Sequence, residues 1–126
     1  MEKLILNKTN NTPQVEFHND GKMSIIGRAM NEDPRMFFTP LMKWVGDLTT
    51  DSVNLEVKLD YLNTSSTKMM NEFIKTIDAN SKIRNKIINW YFEEDDEDML
   101  EVGQILEENT FTTSFFFHQM AESPMA

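Results

Sequence analysis

Asn63-Thr64-Ser65-Ser66-Thr67 is an unbroken run of Asn, Ser and Thr, set between Tyr61-Leu62 and Lys68. Its chemistry is that of a phosphate acceptor or an oxyanion holder. A Ser or Thr hydroxyl can receive a phosphoryl group. A helix that starts on such a run also offers backbone N–H groups without intrahelical partners and the positive end of its dipole. An oxyanion placed there is stabilised by both effects. The competing explanation is N-capping, in which one Asn, Ser or Thr is worth about 1 kcal/mol. One cap accounts for one residue, and the Glu or Gln of a capping box is missing. The run therefore exceeds what capping requires and marks a candidate phosphorylation switch. Asn63-Thr64-Ser65 also fits the glycosylation acceptor pattern, but the amino terminus carries no secretory pattern, and that reading is set aside.

Such a corner needs a strand before it and a helix after it. Val53, Leu55, Val57, Leu59 and Tyr61 alternate with Asn54, Glu56, Lys58 and Asp60, the period of a half-buried strand ending near Leu62. Met69, Met70, Phe73, Ile74 and Ile77 then recur at helical spacing, which predicts a helix from about Ser65 to Ala79. Thr64 falls at the corner, exposed, where helix N–H groups and Lys68 can hold a phosphate. Ile87 to Phe92 is the next predicted strand. A strand, a helix of this length and a strand make a right-handed crossover with the two strands parallel.

Upstream, Gln14 to His18 and Lys22 to Ile26 flank Asn19-Asp20-Gly21, a hairpin turn signal. Leu4 to Leu6 adds a short strand or an arm. Asp33-Pro34 starts a helix as cap and first residue, with Phe37, Phe38, Leu41, Trp44, Val45 and Leu48 on its buried side, although Pro40 predicts a kink or a later start. Met36, Met42, Met69, Met70 and Met99 read as core gap-fillers. Downstream, the acidic run enters a helix that turns Met99, Leu100, Val102, Ile105 and Leu106 inward. Phe111 to His118 is a last strand, and residues 119–126 a frayed tail. The expected fold is a single α/β domain over residues 1–126, a mixed β-sheet with about three packed helices.

With 126 residues the chain can bury a real core as one domain. It has no cysteine, which removes disulfides and thiolate metal sites, and no apolar run long enough to span a membrane. A cytoplasmic protein is expected. The net charge of −9 argues against a nucleic-acid partner. Residues 1–86 hold all 12 basic and 11 acidic residues, a net of +1, whereas 87–126 carry ten acidic residues and no basic one. That acidity is either a solvated helix start or a surface, with Glu94, Asp95 and Asp98 in it, that steers a basic partner. Beside Thr64, Trp90-Tyr91-Phe92 ends a parallel strand, and residues just past neighbouring carboxyl ends meet where open sheets bind ligands.

Catalytic patterns are sparse. His18 and His118 stand in no motif with Ser or Asp, and the run Glu93 to Asp98 lacks the Gly and spacing of an EF-hand loop. No cofactor and no metal site is expected. The alternative function is a small-ligand-binding domain or small enzyme that uses the carboxyl edge of the sheet.

The corner Asn63-Thr64-Ser65-Ser66 resembles the Asp-Ser-Ser-Gly phosphosite of anti-sigma factor antagonists, which implies a STAS-like fold, and more closely the SiaC family of bacterial regulatory phosphoproteins. The residues that carry the resemblance are Thr12-Pro13, Gly27-Arg28, Phe37 to Val45 with Trp44, Tyr61 to Ser66 with Lys68 and Met70, Trp90-Tyr91, and Asp96-Glu97-Asp98 leading to Glu101 and Gly103. The resemblance implies that Thr64 is the phosphoacceptor, modified by a dedicated serine/threonine kinase and restored by a metal-dependent phosphatase. It implies that the unphosphorylated form binds and activates a diguanylate cyclase, a link to cyclic-di-GMP and biofilm control. Met30-Asn31-Glu32-Asp33 stands where the family commonly has Tyr-Pro-Glu, and the C-terminal acidity is heavier. Both departures bear on the downstream partner.

Overall fold

The computed structural model describes residues 1–120. One six-stranded sheet runs in the order β1(Leu4–Leu6), β2(Gln14–Phe17), β3(Lys22–Ala29), β4(Thr50–Leu62), β5(Ile83–Glu93), β6(Ser114–Met120). Strands β1 to β3 are antiparallel, and β3 to β6 are parallel, joined by α1(Pro34–Asp47), α2(Thr64–Ala79) and α3(Glu97–Glu108). Each crossover joins adjacent strands in the same direction of travel, so right-handed connections put all three helices on one face. This is the mixed α/β domain the sequence predicts, and the arm at Leu4 is a true edge strand.

Alternation sets the sheet's two faces. Val15, Phe17, Met23, Ile25, Val53, Leu55, Val57, Leu59, Ile88 and Trp90 are buried beneath Phe38, Leu41, Val45, Met70, Phe73, Ile74 and Ile77 from the helices. The other face is open and polar, with Asn54, Asn89 and His118 hydrogen-bonded in a row and Tyr91 stacked on the His118 ring. His118 is thus engaged in cross-strand packing, and His18 pairs with Glu16 at 3.0 Å just beyond β2.

Local chemistry explains most boundaries. Asp33 Oδ1 accepts the Met36 N–H, with Pro34 preset as the first helical residue. Pro40 neither interrupts nor delays α1, which runs unbroken from Pro34 to Asp47: it lies on the exposed side with Met36, whose carbonyl loses its donor where solvent can take it. Gly21 turns the hairpin at φ +92° and passes so close to Ser52 that a Cβ would collide with its carbonyl.

Several sequence expectations shift. Tyr61 is not on the buried face. The pairing slips between Gly27 and Arg28, leaving Asp60 as an extra residue in β4, so Tyr61 pairs with Arg28 on the open side and is 45% exposed. Met36 fills no core gap, being 73% exposed. Ile105 also faces solvent, because only Met99, Gly103 and Leu106 of α3 are fully buried. The last strand starts at Ser114, since the Asp78 carboxylate holds Phe111 to Thr113 in a turn and leaves the Phe111 ring outside. Gln119 and Met120 belong to β6 rather than to a frayed tail, and residues 121–126 lie outside the described residues.

Candidate phosphoacceptor site

The slip at Asp60 restores Leu62 to the core side, opposite Ala29, and the chain turns directly into α2. Asn63 is the cap, one residue earlier than a helix start at Ser65 implies. Its Oδ1 accepts the Ser66 N–H at 2.9 Å, and its carbonyl accepts the Thr67 N–H. The Asn63 N–H donates to the Ala29 carbonyl, which ties the corner to the end of β3.

The four hydroxyls that follow are not equivalent. Ser66 Oγ is fully buried and donates to Asn31 Oδ1 at 3.3 Å. Thr67 Oγ1 donates to the Asn63 carbonyl at 3.0 Å. Ser65 Oγ reaches Asn63 Oδ1 at 3.5 Å. Thr64 is exposed, and among the described residues its hydroxyl makes no hydrogen bond. Thr64 and Ser65 are also the first two helical residues, whose N–H groups have no intrahelical acceptor. Lys68, four residues after Thr64 and exposed, shares its helical face and forms no ion pair among the described residues. The arrangement offers an accessible hydroxyl for modification and donors beside it for the resulting oxyanion.

The acidic segment divides into two parts. Asp96 caps α3 by accepting the Met99 N–H, which assigns it the ordinary capping role. Asp98 shares a cavity of about 180 Å³ with Asp60, Tyr61, Leu62, Asp96, Met99 and Val102, so α3 and the end of β4 do meet at one edge. Glu94 and Asp95 stand on the exposed turn before α3. Among the described residues no three His, Asp or Glu side chains converge in a way that could hold a metal ion, and no helix is long and apolar enough to cross a membrane.

Sequence reasoning missed Asn31. It is buried two residues past β3 against Ser66, and Ser66 lies 35 residues away. No local pattern signals a contact across that distance.

The structure thus defines a single-sheet α/β domain that presents an exposed hydroxyl at the start of a helix. The chain belongs to the SiaC family: the model for SiaC family regulatory phosphoprotein matches residues 6–120. Apo-SiaC from Pseudomonas aeruginosa shares the fold with a TM-score of 0.78 and 21% identity, over 94% of this chain and 99% of that one. SiaC in complex with the diguanylate cyclase SiaD, which it activates, matches with a TM-score of 0.77 and 21% identity, over 93% and 99% of the chains. At such identities the likeness shows the fold alone. No curated protein matches the chain.

Proposed function

We propose that this protein is a non-enzymatic switch, phosphorylated on Thr64 by a dedicated serine/threonine kinase and restored by a metal-dependent serine/threonine phosphatase. The unmodified form binds and regulates a signalling partner in the cytoplasm. A diguanylate cyclase is the favoured partner, because family membership joins this chain to SiaC, which the Pseudomonas structure holds on SiaD as its activator. Cyclic-di-GMP output and biofilm formation would follow the state of Thr64. The observation that carries the reading is that Thr64 is exposed and, among the described residues, unbonded while Ser66 and Thr67 are engaged.

In the forward step Thr64 Oγ1 attacks the γ-phosphorus of a nucleoside triphosphate. The kinase base takes the hydroxyl proton and the nucleoside diphosphate leaves. In the reverse step water attacks the phosphorus, inorganic phosphate leaves and the Oγ1–H is restored. Phosphate brings roughly −1.5 to −2 charge to a surface complementary to a neutral hydroxyl. Even about 3 kcal/mol of repulsion or desolvation would weaken binding more than a hundredfold. Glu94, Asp95 and Asp98 steer a basic partner surface toward the edge. The alternative, a small-ligand site at the carboxyl edge, has two open cavities there, about 180 Å³ beside Asp98 and about 330 Å³ beside Arg28, the larger just above the roughly 300 Å³ at which ligand pockets begin.

Phosphosite mapping by mass spectrometry, followed by cyclase binding to both forms, tests the reading. Phosphate on Thr64 with binding confined to the unmodified form is expected. Phosphate found only on another residue, or equal affinity of the two forms, would overturn it.

A further inference from the structure

The sheet ends in two unlike edges. Strand β1 is three residues long, with the charged Glu2 and Lys3 just before it, and shortness and charge are ordinary protections of an open edge. Strand β6 is seven residues long, pairs with β5 without a slip from Ser114 to Met120, and among the described residues has no backbone partner along its outer side. It holds no Lys, no Pro and no bulge. The chain from Asn109 to Met120 carries no Asp, Glu, Lys or Arg at all, although it lies in the most acidic third of the molecule. Apolar surface remains on both sides of the strand: Phe117 is only partly buried beneath α3, and Phe116 on the open face is 51% exposed.

We propose that β6 is a self-pairing edge: a second copy of this chain adds its own β6 antiparallel to it, about a two-fold axis at Phe117. Such an interface needs a strand complementary to itself. Centred on Phe117, the register sets Ser114 against Met120, Phe115 against Gln119 and Phe116 against His118 of the second copy, which uses the whole strand. Directly opposed residues of an antiparallel pair share a face. On the open face the His118 ring already stacks on Tyr91 at 4.7 Å, and Phe116 of the second copy extends that aromatic row across the junction. On the helix side the two Phe117 rings meet and complete each other's burial. Charge argues for this occupant. A chain of net charge −9 repels its own copy over most of its surface, and the uncharged β6 is where two copies can approach without opposing carboxylates. A basic partner finds no carboxylate on this strand to pair with. An antiparallel strand beside a parallel one is ordinary in a mixed sheet. The joined sheets run in opposite directions, so the two Thr64 corners lie at opposite ends, and the inference does not depend on Thr64 being modified.

The test is sedimentation equilibrium of the full chain at concentrations up to about 1 mM, where a monomer–dimer equilibrium is expected. Phe116→Lys places a charge on the exposed side of the edge and removes two symmetric Phe116–His118 pairs, so the dissociation constant should rise about tenfold. The chain has no cysteine, so a spin label attached through Ser114→Cys is the only one. The two labels of the dimer should lie about 20 Å apart, the span of about six extended residues. That distance stands even if the lysine variant fails to fold. A full chain that stays monomeric throughout would overturn the proposal, whether the edge is then found paired with residues 121–126, with a strand of another protein or with nothing. A dimer whose labels lie far from that spacing, or one that folded Phe116→Lys leaves equally tight, would overturn it as well.

Discussion

Asn63 caps α2 through Ser66: the Asn63 side chain accepts the Ser66 N–H at 2.9 Å, while the Ser66 hydroxyl turns inward to Asn31. The cap therefore uses one hydrogen-bonding group of the polar run and leaves Thr64 outside it. Asn63→Ala should lower stability by about 1 kcal/mol in chemical denaturation. Asn63→Asp should keep the cap while placing a carboxylate beside the incoming phosphate, so phosphorylation of Thr64 should slow with stability nearly unchanged. Equal phosphorylation rates for wild type and Asn63→Asp would count against that electrostatic account.

Thr64→Ala should keep partner binding and resist shut-off, because the hydroxyl it removes makes no hydrogen bond among the described residues. Its melting temperature should stay within about 2 °C of wild type, as for an exposed substitution worth no more than about 0.5 kcal/mol. Pull-down of the partner after incubation with kinase and nucleotide checks both halves of the prediction.

Gly103 packs against Trp90, and a Cβ there would sit 2.6 Å from the indole Cδ1 and Nε1 and 2.9 Å from the Phe117 ring. Trp90 is fully buried and its Nε1 donates to the Met99 carbonyl at 2.9 Å, so the ring cannot withdraw without losing that bond. Gly103→Ala should cost about 1 to 3 kcal/mol and perturb tryptophan fluorescence. A variant as stable as wild type would show that α3 can slide outward freely.

Asp78 ties the end of α2 to the turn before β6. Burial alone would raise its pKa, but hydrogen bonds from the Thr112 N–H, the Thr113 hydroxyl, the Phe111 N–H and the Thr112 hydroxyl outweigh it and lower the value from 3.8 to about 2. A carboxyl group with a depressed folded pKa contributes stability that is present above the unfolded value and lost as pH falls toward the folded one. Urea titrations should therefore show stability dropping between pH 4 and 2, the window between the ordinary 3.8 and the folded value of about 2. Asp78→Asn should cost about 2 kcal/mol at pH 7 and flatten that acid slope. The buried Lys86, whose Nζ donates to the Asp78 carbonyl and to the Thr112 hydroxyl, shares the same tie.

If the acidic turn steers a basic partner, neutralising Glu94, Asp95 and Asp98 should lower the association rate and flatten its salt dependence, with dissociation nearly unchanged. Stopped-flow association at two ionic strengths decides it. Unchanged kinetics at low salt would reduce these carboxylates to the solvated start of α3.

The elements that position the site were legible because their signals are local. The alternation of Val53 to Leu59, the helical spacing of Met69 to Ile77, the Asp20-Gly21 turn and the Asp33-Pro34 helix start each lie within a few residues. Periods of 2 and 3.6 are imposed by backbone geometry alone. The hydroxyl corner followed, since it is what remains between such a strand and such a helix. The parallel pairing of β4 with β5 was also determined, because a crossover of that length admits little else. What only the tertiary structure decided depends on neighbours far apart in sequence. The slip at Asp60, which turns Tyr61 to the open face, arises from pairing with Gly27 and Arg28. The turn at Phe111 to Thr113 arises from Asp78 on another element. Asn31 across from Ser66 separates one buried hydroxyl from its exposed neighbour. Sequence placed the hydroxyls together at a helix start. Packing decided which were consumed by the fold and left Thr64 free, because a hydrogen bond is satisfied by whatever group the rest of the chain brings within reach.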